Sequence, residues 1–452
     1  MAVAAGPVEP EWGIDPVPTE ARRLSGFDLA VLWGDLGIGL LVLVTGALLV
    51  PALGFAQAFG VIVIGSAIGV ALLALVGAAG TADGVPTMVL FRPILGRTGS
   101  YLPSVLNVAQ LIGWTAVELW AISFVADLVA VEAFGFEARG LWLVAAALIC
   151  TALALWGPVG VTRVWMERFG AWMILGICGA LTVLVLSQDG IGAALGAPGQ
   201  GSWPTIGSGL DLVIAMPISW LPLVADYNRF AKTTRGSFGG TFAGYLIANV
   251  WLYTLGALLI LGAGADPSPA GIAGGILAVA GGTVAGLLFL VGLLAGETDE
   301  AFADIYSGAM SMKNVFPRVP RSAFVIAIAI VSTALAGWLT MERYESFLFL
   351  IGSVFVPLFG VFVAERYLRA GTGDQGHGLR AGPLVAWAVG FLVYHWIAPT
   401  GPAWWIDWLG GIAQPLSADA SWLSASVPSF VAAGATALAL RPLSSPRTRA
   451  ER

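Results

Sequence analysis

Apolar runs of about 17–25 residues, each long enough to cross about 30 Å of hydrocarbon as a helix, follow one another along almost the whole chain. Twelve can be marked: Phe27–Val50, Phe55–Ala79, Ser104–Ala130, Leu141–Trp156, Phe169–Ser187, Leu210–Phe230, Phe242–Gly262, Ile276–Met312, Ala323–Leu339, Phe347–Ala364, Leu384–Ile397 and Trp422–Leu440. Lipid offers the backbone no hydrogen-bond partners, so segments of this length must pair their own amides and fold as helices. The rest of the composition agrees: 58% of the 452 residues are hydrophobic and 11% charged, outside the range of soluble domains. The predicted class is therefore an all-α polytopic membrane protein. The polar segment Met1–Arg23 lacks the basic-then-apolar layout of a signal peptide, so none is expected to be cleaved.

The basic residues set the orientation. With twelve spans, nineteen of the 21 Lys and Arg fall on one side together with both termini, among them Arg92, Arg97, Arg163, Arg168, Lys232, Lys313, Arg369 and Arg441, while Arg139 and Arg343 fall on the other. The positive-inside rule makes that side cytoplasmic, which predicts an inner-membrane protein with both ends inside. Because the basic residues follow topology, they imply the bilayer as a partner and no nucleic acid. Trp404, Trp405 and Trp408 read as interfacial anchors on the outer face. Cys150 and Cys178 lie in apolar runs and give neither a disulfide framework nor a metal pattern. His377 in a polar loop and His395 in an apolar run are too few for a metal cluster, and His395 reads as a packed residue.

One segment breaks the apolar rule. Gly296-Glu297-Thr298-Asp299-Glu300-Ala301-Phe302-Ala303-Asp304 sets four carboxylates after some twenty apolar residues. Each acidic residue at the bilayer centre costs roughly 2.5–3.5 kcal/mol, so they are expected to face a polar cavity. At helical spacing Glu297, Glu300 and Asp304 share one face, and Asp299 points elsewhere. The alternative is that the span ends near Ala295 and the acids decorate a wet helix end.

Two spans are interrupted at comparable places. Span 1 contains Trp33-Gly34-Asp35-Leu36-Gly37-Ile38-Gly39, and span 6 contains Pro217 and Pro222 around Trp220. They open two five-span blocks, 27–187 and 210–364, and an odd number of spans per block makes the second inverted. Broken helices at matching places in inverted repeats point to a transporter's midplane site. Residues 1–26 and 441–452 form cytoplasmic tails, and 384–440 holds two peripheral spans. Span 3 adds Gln110, Trp114 and Glu118, an amide, an indole and a carboxylate on one stripe that suits a flat, partly polar ring.

The segments Gly84-Val85-Pro86, Gly96-Arg97-Thr98-Gly99-Ser100, Asp226-Tyr227-Asn228-Arg229-Phe230 and Asp304-Ile305-Tyr306-Ser307, in this order, resemble the nucleobase–cation symporter family of cytosine, allantoin and hydantoin permeases. Within it, Trp114 to Glu118 and Glu297 to Asp304 look most like the branch assigned to hydroxymethylpyrimidine, the thiamine precursor. The resemblance implies a LeuT-like fold of five plus five inverted spans and two peripheral ones. It makes Trp114 the stacking indole, puts Glu118 where relatives have a substrate-contacting Gln, and puts Asp304 where they often have an Asn. Gln110, Trp220 and Glu300 complete the expected substrate site, with Trp220 displaced by about one turn from the family's span 6 Trp. Thr298 and Asp299 fall at the hydroxyl ligands of sodium-coupled relatives, with the Ala295 carbonyl one turn earlier and Gly34 and Gly37 as span 1 contributors. These five form a candidate cation site, with Na⁺ or H⁺ as coupling ion.

The expected function is a cation-coupled importer of a pyrimidine-like small molecule, with no cofactor and the oligomeric state open. Carboxylates at Glu118 and Asp304 only accept hydrogen bonds, which favours an aminopyrimidine, whose protonated edge offers two parallel donors, over an oxopurine. The rival from another class is an intramembrane metal or acid/base enzyme using the span 8 carboxylates, but no His stands near them in the sequence. A channel with an acidic ring would need several copies around a pore.

Overall fold

A computed structural model describes residues 12–157, 171–280, 283–339, 344–368, 378–412, 415–416 and 420–440. Phe169, Arg163, Arg168, Arg343, Arg369, His377 and the arginines beyond residue 440 lie outside the described residues. The described chain is helical, and its sole β-bridge joins Leu24 to Ala231.

The first span is two helices, α1 (Gly26–Asp35) and α2 (Leu40–Leu48), bent by 65° at their junction. Ser25 starts α1 with a capping box, its hydroxyl accepting from Asp28 N–H while the Asp28 carboxylate accepts from Ser25 N–H. No such cap begins α2, because Gly39 stands there. The chain continues through α3 (Phe55–Asp83), α4 (Tyr101–Phe134), α5 (Arg139–Trp156) and α6 (Ala171–Leu186). The sixth span is also interrupted: α7 (Ile206–Trp220) stops before Pro222 and α8 (Val224–Asn228) resumes beyond it. Proline donates no backbone hydrogen bond and clashes with the preceding turn, which accounts for the stop.

After α9 (Thr234–Ala263), the run Ile276–Met312 corrects an expectation. It is not one span, since α10 (Pro269–Val279) takes its first residues and α11 (Thr283–Val315) the rest, with Gly281 and Gly282 between them in the sequence. Nor does the helix end near Ala295, because α11 runs on to Val315 and holds all four carboxylates mid-length. Then follow α12 (Arg321–Ala336), α13 (Tyr344–Val363), α14 (Ala381–Ile397), the short α15 (Ala403–Ile412) and α16 (Ser426–Ala439). Four helices are long and apolar enough to cross a membrane, or five with the bent pair, and six more apolar helices of 10–17 residues accompany them among the described residues.

Two packings position the site. Helix α11 lies along α4, and α1 and α2 lie along α9. The second contact is close because it is lined by glycine: a Cβ at Gly244 would stand 2.1 Å from the Ala30 carbonyl, and one at Gly256 2.0 Å from the Leu43 carbonyl. Small residues let membrane helices approach where burial of apolar surface gives no drive. Helices α14 and α16 pack on α13 and on each other, outside this core. The carboxylate of Asp211 accepts from the Ser424 hydroxyl and from the N–H groups of Ala425 and Ser426, anchoring the start of α16 to α7. Trp404 and Trp408 of α15 are exposed, while buried His395 accepts from Trp405 Nε1–H at 3.1 Å, a packed residue as expected.

Candidate substrate and cation site

A small cavity with about 10 Å³ of free space lies between three helices. Trp114 and Glu118 line it from α4, Met216, Ser219 and Trp220 from α7, and Glu300 and Asp304 from α11. The pairs 114/118 and 300/304 are each four apart, so one turn of each helix presents both members to the same space. None is more than 5% exposed. Three of their polar atoms, Trp114 Nε1, Glu118 Oε2 and Glu300 Oε1, have no hydrogen-bond partner among the described residues. The free space is room for about one water, so a ring-shaped ligand requires these side chains to part.

The aromatic side of the cavity is braced from behind. Trp114 meets Phe347 and Tyr344 of α13 edge-on, at ring-centroid distances of 5.2 and 6.1 Å. Trp220 meets Trp33 of α1 at 6.0 Å and 82°, and Trp33 Nε1–H donates to Asn228 at 2.7 Å. Gln110 stands beside the cavity: its amide N–H donates to Asn107 and to the Ser219 carbonyl at 3.0 Å, tying α4 to α7.

Behind Glu300, α11 lies against the break of the first helix. The Glu297 carboxylate accepts from Leu40 N–H. A Cβ at Gly39 would fall 2.6 Å from Glu300 Oε1 and 2.7 Å from Glu297 Oε1, so any side chain here would push both carboxylates aside. A Cβ at Gly296 would fall 2.6 Å from the Ile38 carbonyl. Buried Asp35 lies against Asp299, which therefore points away from the cavity as its spacing suggested. Thr298 donates its hydroxyl to the Leu294 carbonyl at 2.7 Å, and both it and Ala295 are half-buried. Gly34 and Gly37 turn their Cα atoms toward Gly244 and Ala248 of α9, whereas the contacts reaching α11 come from Asp35, Ile38, Gly39 and Leu40. Carboxylate, hydroxyl and carbonyl oxygens are hard donors of the kind that hold Na⁺ or a proton.

The sequence reading therefore missed Asp35, Gly39, Met216 and Ser219. Asp35 carried a signal, a lone acid within the apolar Leu29–Val44 stretch; Met216 and Ser219 carried none. On the opposite end of the break in the sixth span, Tyr227 donates to the Ala303 carbonyl at 3.1 Å. Buried Arg229 donates to the carbonyls of Gly13 and Asp226 and to the Tyr306 hydroxyl, so α8 is fastened to α11 and to the segment preceding α1.

Comparison with known proteins gives a consistent picture. The family described as permease for cytosine/purines, uracil, thiamine, allantoin matches residues 16–376. The cytosine permease of Escherichia coli (strain K12) is 25% identical over 391 residues, covering 84% of this chain and 88% of the relative. The hydantoin permease of Microbacterium maritypicum is 23% identical over 369 residues, covering 78% and 75%. Among solved structures, Mhp1, a nucleobase-cation-symport-1 family transporter in a closed conformation with bromovinylhydantoin bound, superimposes with a TM-score of 0.78 at 20% identity, covering 96% of this chain and 94% of that one. That similarity shows the fold, which is LeuT-like.

Proposed function

The chain belongs to the family of permeases for cytosine and purines, uracil, thiamine and allantoin, and on that premise we propose that it is a cation-coupled importer of hydroxymethylpyrimidine or a related aminopyrimidine such as cytosine. As a permease it is a secondary transporter and not an enzyme, so the acids of α11 serve binding and coupling. The observation that carries the reading is the meeting of Trp114, Trp220, Glu118, Glu300 and Asp304 around one small buried cavity beside a broken helix. A planar ring stacks on indole, and its amino edge donates to carboxylates that only accept. Relatives named for cytosine and hydantoin, both flat nitrogen heterocycles, support a ligand of this shape.

Coupling is assigned to the cluster behind the cavity, where Asp299, Thr298 and Ala295 of α11 adjoin the first-helix break, with Asp35 added to Gly34 and Gly37. Cation and substrate sites share helix α11, so each raises the other's affinity if both favour the same state of the break. In this reading residues 27–187 and 210–364 are the inverted repeats, 384–440 is peripheral, and both termini lie in the cytoplasm of the cell whose plasma membrane holds the protein.

Uptake into proteoliposomes at fixed pH, with an inward Na⁺ gradient or with choline in its place, tests the coupling ion. Equal accumulation in both removes sodium and leaves the proton. Competition among hydroxymethylpyrimidine, cytosine and uracil tests the ligand. Uracil competing best removes the aminopyrimidine assignment.

A further inference from the structure

Among the described residues three carboxylates line the cavity, and no Lys, Arg or His lines it with them. Asp35, Glu297 and Asp299, three further acids, are buried close behind. Buried Arg229, in the same region, is directed elsewhere, onto Gly13, Asp226 and Tyr306. A neutral ligand rich in carbonyls would set acceptors against acceptors and leave Glu118 Oε2 and Glu300 Oε1 without donors, a heavy cost for buried groups.

Resting on the importer reading above, we propose that the site selects its ligand by positive charge and paired N–H donors rather than by nucleobase identity: it takes planar amidinium-type cations, of which a protonated aminopyrimidine is one. The lining offers such a ligand a partner at each side. Its charge meets carboxylates from two helices, α4 and α11. Its two parallel N–H groups match a carboxylate bidentately. Its ring, electron-poor because it is charged, lies against the indoles of Trp114 and Trp220, where cation–π attraction adds to stacking.

Benzamidine and benzamide separate charge from shape, because they are near-isosteric planar molecules of which only the first is a cation at neutral pH. Each is titrated against labelled aminopyrimidine uptake in proteoliposomes and, independently, against thermal unfolding of the purified protein. The expected result is that benzamidine competes and stabilises at concentrations roughly tenfold or more below those at which benzamide acts. Glu118→Gln and Asp304→Asn, tested separately, each narrow that ratio. Equal action of the two compounds overturns the proposal, since carboxyl groups that hold protons would donate to benzamide as well. If aminopyrimidine is transported but the pair act alike, charge selection fails and the importer reading stands. If benzamidine alone stabilises the protein and no aminopyrimidine is transported, charge selection stands and the importer reading fails.

Discussion

The Glu297 carboxylate accepts the backbone N–H of Leu40, so a side chain from the middle of α11 caps the second half of the broken first helix. Gly39 has no side chain with which to do this, and the positive end of α2 attracts an anion. Two pieces of chain 257 residues apart are thereby joined at the centre of the site. Glu297→Ala leaves the start of α2 uncapped and is expected to lower stability by about 1 kcal/mol, whereas Glu297→Gln keeps an acceptor oxygen and most of the effect. Thermal unfolding in detergent distinguishes them, and equal loss in both variants would mean the negative charge, not the cap, is what matters.

Gly39→Ala is expected to abolish coupled uptake while leaving a folded protein. Its methyl would stand within 2.7 Å of an oxygen on both Glu297 and Glu300, and the flexible ends of those side chains can move where a backbone could not. Movement displaces both acids from the break. Retained uptake with unchanged cation dependence would show that their positions are not essential.

Trp114→Ala removes the indole from the cavity wall. Base–aromatic stacking is worth about 1–3 kcal/mol, so substrate affinity is expected to fall roughly 5- to 150-fold. Trp114→Phe keeps a ring against Phe347 and Tyr344 and is expected to lose less. Binding measured by thermal shift or by uptake competition checks the order, and a wild-type affinity in Trp114→Ala would take the residue out of the site.

Arg229→Ala severs the tie between α8 and the segment preceding α1, whose Gly13 carbonyl accepts from the guanidinium. Arg22 and Arg23 lie in that segment, with Arg23 N–H donating to the Phe230 carbonyl. The variant is expected to be cut by trypsin at these two arginines several-fold faster than the native protein, under conditions in which the rest of the chain survives. Unchanged cleavage would mean the remaining contacts hold the segment alone.

Much of this was legible because the bilayer leaves a chain so few choices. Trp114 and Glu118, or Glu300 and Asp304, had to share a helical face, and apolar surroundings forced that face inward. The breaks at Gly37–Gly39 and Pro222 followed from glycine and proline in spans that otherwise had every reason to stay helical. The division of Ile276–Met312 was missed because hydropathy does not distinguish one long span from a short helix followed by another. Which residues of the first helix meet α11 was not legible either: helical spacing says which residues share a face, but not which neighbour that face meets.

The amino-acid sequence by itself determined the helical class, the two interruptions and the inward-facing acids and indoles, since these depend on local spacing and on the cost of polar groups in lipid. Only the tertiary structure decided that Gly34 and Gly37 turn toward α9 while Asp35, Gly39 and Leu40 meet α11, and that Met216 and Ser219 complete the cavity. Those pairings depend on how each helix is rotated and how closely it packs. Contacts such as Gly244 on Ala30 and Gly256 on Leu43, between segments over 200 residues apart, set both.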